Sequence, residues 1–324
     1  MGYLARLPNR ELVLFFLATV AVFSFSSETF RSSGNFENIL IGFSHTGILA
    51  VGQAFPILLG GIDLSVGAII ALAGMIAFDC FLIYDLPGQL VIPIMLAAAT
   101  AAGTINGLLI VKARLQPFIA TLATMAAYRG IAYAISGRQI FPELATQPIR
   151  DKVLLGFDEY VGNFPYAFFL LIVVAAVAQF ALSATKFGRN LYTVGGNIEA
   201  ARLSGIKVGQ AVVAAYAISG FCAGLAALVL IARMTTAQEN LGMGIELTAI
   251  AAAIIGGVSL QGGVGNVIGP VIGAFLMGVI LIGLNLVGVT TYAQPVLTGT
   301  ILLGAVYYDR LLARRRAGDG GATA

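Results

Sequence analysis

The chain has 324 residues, of which 59% are hydrophobic and 10% are charged, and its mean hydropathy is +0.94. Soluble domains carry about 25% charged residues, so the composition excludes a soluble globular fold and indicates an integral membrane protein. Lys and Arg exceed Asp and Glu by 18 to 15, an excess too small and too dispersed for nucleic-acid binding. One histidine and two distant cysteines predict no metal site and argue against a membrane enzyme.

Ten apolar segments predict transmembrane helices, because a helix needs about 20 apolar residues to cross a bilayer core of about 30 Å. We therefore predict an all-α membrane protein with about ten transmembrane helices in a single domain over residues 12–308. The segments cover residues 12–27, 39–59, 66–84, 89–111, 118–136, 164–183, 211–232, 245–258, 264–287 and 292–308.

Basic residues predict the orientation, because Lys and Arg near span ends are retained in the cytoplasm. With the N-terminus inside, most basic residues fall on inner segments, and Arg129 lies within a span. Residues 1–11 are then a cytoplasmic N-terminus and residues 309–324 a flexible cytoplasmic tail. The longest outer loop, residues 137–163, is interpreted either as a docking site for a soluble partner or as a solvated linker.

An internal repeat is indicated by residues 56–64, PILLGGIDL, which match residues 252–260, AAIIGGVSL. The predicted repeat halves are about 39–136 and 211–308, each with an apolar run that ends at a Gly-Gly pair, Gly60-Gly61 or Gly256-Gly257. Interrupted membrane helices are tolerated only beside protein or a water-filled cavity, so the pattern indicates a translocation pathway. A chance match between glycine-rich segments is the alternative.

Asp63 separates two apolar runs, and an ionisable group there costs several kcal/mol unless it pairs, caps a helix or faces water. It is therefore either a pathway carboxylate or, with Ser65, a cap for the helix that starts at Val66. Other polar residues of these spans could line a passage or make single interhelical hydrogen bonds, and Glu246 could cap a helix near the outer surface. The candidates for the pathway and its core are Gln53, Gly60, Gly61, Asp63, Ser65, Asn106, Thr121, Glu246, Gly256 and Gly257.

Glycines spaced four apart predict close helix packing, within the subunit or against a second copy. These small-residue motifs are Gly103 with Gly107, Gly220 with Gly224, and Gly265, Gly269 and Gly273.

The inner loop at about residues 184–210 is predicted to contain a short helix. Asn197 is a favourable N-cap, Glu199 lies in the first turn, and Gly205 supplies the stop. Such a helix could dock a motor subunit, or it could lie on the membrane surface. No lysine follows a glycine, so the chain contains no phosphate-binding G-x-x-x-x-G-K-[ST] loop. Either another polypeptide hydrolyses ATP for it or an ion gradient drives it.

Four segments in order resemble the signatures of ribose-type sugar permeases of ATP-binding-cassette importers, and the similarity extends from about residue 39 to 308. They are GGIDLSVGAIIALAGM (60–75), QPFIATLATMAAYRG (116–130), GGNIEAARLSGI (195–206) and ELTAIAAAIIGGVSLQGGVGNVIGPVIGA (246–274).

The resemblance implies a fold like that of the vitamin B12 importer-type (type II) permeases, in a bacterial inner membrane. Two permease subunits, identical or related, would work with two ATPase subunits and a periplasmic sugar-binding protein that delivers pentoses, hexoses or polyols. ATP and Mg would bind the ATPase, and this chain would bind no cofactor. Membrane lipid would surround the chain, and it would bind no nucleic acid.

The resemblance also implies roles for two parts of the chain. The GGIDLS segment would belong to the core around the pathway, and the inner loop would contact the ATPase through Gly196, Asn197, Glu199, Ala200, Arg202, Leu203 and Gly205. A branched-chain amino-acid permease of the same superfamily remains an alternative. A secondary carrier is another, with Asp63 and Glu246 as its candidate ion-binding groups.

Overall fold

A computed structural model describes residues 10–136 and 149–320 of the protein. In chain order the helices are α1 (Arg10–Ser26), α2 (Ser33–Leu58), α3 (Val66–Leu82), α4 (Gly88–Lys112), α5 (Pro117–Ile135), α6 (Lys152–Leu155), α7 (Tyr166–Ala184), α8 (Lys186–Gly196), α9 (Ile198–Leu203), α10 (Val208–Met234), α11 (Ile245–Ile255), α12 (Ile268–Leu286) and α13 (Gln294–Gly320). A short antiparallel hairpin pairs β1 (Tyr160–Val161) with β2 (Phe164–Pro165).

The all-α class predicted from composition is confirmed. Within the described ranges, α2, α4, α5, α7, α10 and α12 are long and apolar enough to cross a membrane. Helices α3 and α11 are apolar but shorter, with 17 and 11 residues. At a rise of 1.5 Å per residue α11 is only about 16 Å long, so it is half of a membrane span.

Helices α2 and α10 lie at the centre of the bundle. Nearly every residue of α2 after Ile39 is buried, and α10 is buried over most of its second half. Helix α2 packs against α7, α10, α11 and α12, whereas α10 packs against α2, α3 and α4. Both helices are apolar around their circumference, which is typical of helices enclosed by others.

The small-residue motifs pack helices within the subunit, as predicted. Where α4 crosses α10, a Cβ added to Gly103 would lie 2.9 Å from the Cα of Gly220. Where α11 meets α12, a Cβ on Gly256 would overlap the backbone of Gly269. The helices therefore approach closely enough for their backbones to touch, which side chains at these positions would prevent.

Both cysteines are enclosed in the bundle. Cys222 in α10 is 2% exposed and packs against Gly52 of α2, where an added Cβ would lie 2.6 Å from the Cys222 Cβ. Cys80 in α3 is 9% exposed. The two thiols are therefore packing groups.

Two predicted surface segments contain regular secondary structure. The tail expected to be flexible from residue 309 continues α13 to Gly320, because no glycine or proline interrupts residues 309–317. Residues 149–165 of the predicted outer loop form α6 and the hairpin, and Leu154 there is fully buried. Residues 1–9, 137–148 and 321–324, which complete the predicted N-terminus, loop and tail, lie outside the described residues.

The connecting segments divide between two faces of the bundle. On one of them, here called the α9 face, the Gly263 amide donates to the Leu58 carbonyl at 2.8 Å. On the opposite face, the Gly88 amide donates to the Asp151 carboxylate at 3.0 Å. The α9 face comprises residues 59–65, 113–116, 185–207 and 256–267, and the opposite face comprises residues 83–87, 149–165 and 235.

Candidate functional site

Helices α2 and α11 end in the same backbone arrangement. The Gly60 amide donates to the carbonyl three residues earlier at 2.8 Å, and the next amide donates to the carbonyl five residues earlier at 2.9 Å. Gly257 holds the same position after α11, with corresponding distances of 2.8 and 3.1 Å. This Schellman pattern requires a left-handed residue, and φ is +77° at Gly60 and +89° at Gly257.

A side-chain turn follows each of these stops. Asp63 Oδ1 accepts the Ser65 amide at 3.0 Å, and Ser259 Oγ accepts the Gln261 amide at 3.3 Å. Asp63 comes three residues after Gly60, but Ser259 comes two residues after Gly257. The sequence match pairs Gly60 with Gly256, so it places the second helix stop one residue too early.

Asp63 is the centre of a buried set of hydrogen bonds, here called the Asp63 cluster. Its Oδ1 accepts the Ser65 hydroxyl at 2.7 Å, and its Oδ2 accepts the Ser219 hydroxyl of α10 at 2.9 Å. Asn106 of α4 donates to the Ser65 hydroxyl oxygen at 2.7 Å and accepts from Tyr128 of α5 at 3.2 Å. Asn106 also donates to Asp63 Oδ1 at 3.4 Å, so the carboxylate is held by Ser65, directly before α3, and by side chains of α4 and α10.

The same cluster fixes the backbone between α2 and α3. The Gln53 amide donates to the Asp63 carbonyl, and its oxygen accepts the Asp63 amide at 3.4 Å. Thr121 of α5 donates to the Ile62 carbonyl at 3.1 Å. Gln53, Asp63, Ser65, Asn106, Thr121 and Ser219 are all 0% exposed.

The cluster thus brings together five of the predicted core residues, and its members satisfy one another. Of the two predicted roles of Asp63, the geometry is nearer to the cap: its Oδ1 accepts the Ser65 amide immediately before α3, and the Ser65 and Ser219 hydroxyl groups also donate to the carboxylate. Ser65 makes no side-chain cap on α3, so the turn depends on Asp63. Ser219 and Tyr128 are not predicted from the sequence as members of this cluster, because the only signal at each is a single hydroxyl group in an apolar helix.

Glu246 lies apart from the Asp63 cluster. Its Oε1 accepts the Gly244 amide at 3.2 Å, which is the predicted capping role. Its position differs from the one predicted near the outer surface, because residues 236–244 run back along α3 and place Glu246 against Gly67. Arg129 of α5 fixes this returning segment by donating to the Glu239 and Leu241 carbonyls at 2.8 and 2.9 Å.

The predicted cytoplasmic helix is α9, preceded by a separate helix α8. Asn197 ends α8 and caps α9, since its Oδ1 accepts the Glu199 and Ala200 amides at 3.0 and 2.9 Å. Gly205, with φ +75°, ends α9, so the predicted cap, first-turn acid and stop are confirmed. Arg202 pairs with Glu199 at 2.8 Å. Leu203 beside them is 90% exposed.

Helix α8 contacts the end of α2 and the segment between α11 and α12. Gly195 lies against the Leu58 carbonyl and the Gly263 amide, with no space for a side chain. Tyr192 donates to the Gly265 carbonyl at 2.8 Å. Burial raises the pKa of Tyr192, so its hydroxyl remains protonated and able to donate at neutral pH.

Residues 256–267, between α11 and α12, are held by long-range side-chain contacts. Asp309 of α13 accepts the Leu260 amide at 3.0 Å and the Ser259 hydroxyl at 3.2 Å. Gln179 of α7 accepts the Val267 amide at 3.0 Å. Together with Gly263, these contacts tie the segment to α2, α7 and α13.

The arrangement is that of a membrane transport protein: apolar helices interrupted at two glycine stops, an enclosed polar cluster and an exposed helix on one face. Across residues 10–136 and 149–320, no three His, Cys, Asp or Glu side chains are grouped to hold a metal ion.

Comparison with known proteins agrees with this class. A family model described as "Branched-chain amino acid transport system / permease component" matches residues 35–306. The ribose import permease protein RbsC of Haemophilus influenzae is 40% identical, with 92% of this chain and 91% of that protein covered. The D-allose transport system permease protein AlsC of Escherichia coli is 39% identical, with 91% and 89% covered. The xylose transport system permease protein XylH of Escherichia coli is 32% identical, with 95% and 93% covered.

The chain belongs to this family of transport-system permease components. It is accordingly a transport subunit and not an enzyme.

Proposed function

We propose that the chain is the membrane-spanning subunit of an ATP-driven, binding-protein-dependent importer that passes a pentose, hexose or polyol from the periplasm to the cytoplasm. The observation that carries the proposal is similarity over more than 90% of the chain to permeases named for ribose and xylose import. These sugars share a neutral ring with several hydroxyl groups, and that chemistry defines the expected substrate class.

The proposed assembly pairs two permease subunits, identical or related, with two ATPase subunits and a periplasmic sugar-binding protein in a bacterial inner membrane. ATP and Mg bind the ATPase, since this sequence has no phosphate-binding loop. The permease domain at residues 12–308 has ten transmembrane helices, two repeat halves and the type II architecture. The α9 face is cytoplasmic, as are both termini, in agreement with Lys112, Arg114, Lys186 and Arg189 on that face.

The proposed mechanism starts at α9. Its exposed surface contacts the ATPase, and closure of the ATPase pushes on α9 and hence on α8. Because Gly195 lies against both Leu58 and Gly263, this push displaces the end of α2 and the segment that connects α11 to α12 together. The helices that flank the two glycine stops then change their packing and open the passage to the other side of the membrane.

Uptake of labelled sugars tests the function. Ribose, allose, xylose and a polyol are supplied to a strain that lacks this chain and to the same strain complemented with it. Selective restoration of uptake of one sugar supports the proposal. Unchanged uptake of every sugar, in a strain without a second route for them, would contradict the substrate class.

A branched-chain amino-acid permease is the second candidate, because the family description names those substrates. Labelled leucine in the same panel distinguishes the two, since only one class of solute should depend on the chain. An ion-coupled carrier would lose uptake on addition of a protonophore while cellular ATP stays high, whereas an ATP-driven importer would continue to work.

A further inference from the structure

A small cavity lies between α2, α11 and α12, on the other side of α11 from Glu246. It has a volume of about 180 Å³, and its polar lining groups are His45, Thr46 and Thr248. One buried polar atom in it has no partner. The buried His45 Nδ1 lies near the Ile41 carbonyl but makes no hydrogen bond to the described residues. The partly buried Thr248 lines the same cavity.

A buried polar atom without a partner at a cavity calls for an explanation, since nearly all buried polar groups in native proteins have partners. A buried polar atom without a partner lowers the stability of the folded protein unless a solute or a water molecule forms a hydrogen bond with it. His45 is the chain's single histidine, and its ring nitrogens can donate or accept. A threonine hydroxyl can also do both. These two groups therefore suit a ligand that itself carries hydroxyl groups.

The position of the cavity matches that of a transported solute. His45 lies close to the midpoint of α2, and Thr248 lies in the short helix α11. These helices end at the two glycine stops, and transporters commonly bind substrate near the bilayer midplane between interrupted helices. The cavity is therefore in the part of the molecule that the proposed movement of α2 and α11 would reshape.

The lining also limits the kind of solute. None of the residues that form the cavity is Asp, Glu, Lys or Arg, and the Glu246 carboxylate faces Gly67 of α3 instead. A zwitterionic amino acid would leave both of its charges unpaired there, at a high cost in free energy. The remaining lining is apolar or glycine, namely Gly42, Ile245, Gly278, Leu281 and Ile282, which suits the uncharged faces of a sugar ring.

We propose that this cavity is a contact site for a neutral polyhydroxylated solute of monosaccharide size, with His45 and Thr248 hydrogen-bonding its hydroxyl groups. This inference rests on the proposed function and adds a place in the permease where that solute is recognised. It assigns part of the selectivity among sugars to this chain.

The test uses the complete importer in complemented cells. His45→Phe and Thr248→Val remove the two polar groups while filling similar space, and His45→Asn and Thr248→Ser restore hydrogen bonding. Thr100→Val is the matched control, because its hydroxyl donates to the Leu96 carbonyl of its own helix at 2.7 Å. Membrane abundance and co-purification of the ATPase are measured for every variant.

We expect His45→Phe and Thr248→Val to raise the KM for uptake of labelled ribose, allose or xylose about tenfold, the effect of one lost hydrogen bond. Thr248→Ser should recover most of the loss, and Thr100→Val should stay within about twofold. His45→Asn should change the ratio of rates between the sugars, which a purely structural role would not do.

The outcomes separate this inference from the function on which it rests. Wild-type KM and wild-type sugar ratios in both His45→Phe and Thr248→Val would overturn the cavity proposal while sugar import stands. If the unmodified chain restores uptake of no sugar, the proposed function and this inference fail together. If the two variants do not accumulate in the membrane, the sugar ratio of His45→Asn decides the question, and a wild-type ratio would overturn the cavity proposal.

Discussion

Gly195, at the end of α8, lies directly against the carbonyl oxygen of Leu58, the last residue of α2. A Cβ at position 195 would overlap that oxygen and the neighbouring amide nitrogen of Gly263. The Gly263 amide donates to the same carbonyl at 2.8 Å. Three backbone segments from distant parts of the chain therefore meet at one point, and we expect a displacement of α8 to move the other two.

Gly195→Ala should damage the protein through this contact. Backbone atoms cannot rotate away as a side chain can, so the methyl group should cost about 1–3 kcal/mol, the usual range for overpacking. We expect a lower unfolding temperature in detergent and reduced sugar uptake. Gly130→Ala is the control, because Gly130 of α5 has nothing within 4 Å of an added Cβ. Equal unfolding temperatures for the two variants would contradict the close contact.

The substitution Asp63→Asn distinguishes two roles of the carboxylate, holding the cluster together and carrying a proton during transport. The asparagine oxygen can still accept from Ser65, and its amide can donate to the Ser219 hydroxyl, so the cluster can re-form. We expect Asp63→Asn to keep uptake within about threefold, whereas Asp63→Ala should lose folded protein. Each buried partner left unsatisfied costs about 1–3 kcal/mol. Abolished uptake by a fully folded Asp63→Asn permease would favour a carboxylate that titrates during transport.

Leu203→Asp tests the contact surface of α9. Leu203 is 90% exposed, so a charge there should leave the isolated permease folded but weaken an apolar contact with the ATPase. We expect loss of ATPase co-purification and of uptake, with a normal unfolding temperature. Tyr84→Asp introduces the same charge at a 68% exposed residue on the opposite face of the bundle, and it should retain the ATPase. Full co-purification of the ATPase with the Leu203→Asp permease would show that Leu203 is not part of the docking site.

Asn197→Ala tests the cap of the same helix. Losing an N-cap side chain costs about 1 kcal/mol, which changes the population of an opened helix by about fivefold. Hydrogen exchange of the amides in α9 should become faster by that factor while exchange in α2 and α10 is unaffected. Asn197→Ser keeps a capping oxygen and should exchange like the wild type. Equal protection of α9 in Asn197→Ala and Asn197→Ser would mean that tertiary contacts hold the helix.

The parts of the fold that the sequence predicts correctly are those that depend on residues close together in the chain. Long apolar runs locate the helices because a helix must have that length to cross the bilayer. Asn197 and Gly205 define the ends of α9 through local backbone conformation and hydrogen bonds between residues close in sequence. Glycines such as Gly103 and Gly220 predict close packing because the spacing puts them on one helix face.

Long-range contacts explain what the sequence did not predict. Ser219 contacts Asp63 across 156 residues, and nothing near Ser219 indicates that its hydroxyl faces a carboxylate. The return of residues 236–244 along α3 depends on Arg129, which acts from another helix. The cavity at His45 and Thr248 exists only where α2, α11 and α12 come together, so no single motif encodes it.

The burial of both native thiols makes this protein a convenient starting point for spectroscopy. Cys80 and Cys222 are packed between helices, so water-soluble maleimides should label the folded wild type slowly. A cysteine introduced at exposed Ser204, at the end of α9, would then be the reactive thiol without removal of the native pair. A fluorophore or spin label at that position could report the movement of α9 during ATP turnover in an otherwise unmodified chain.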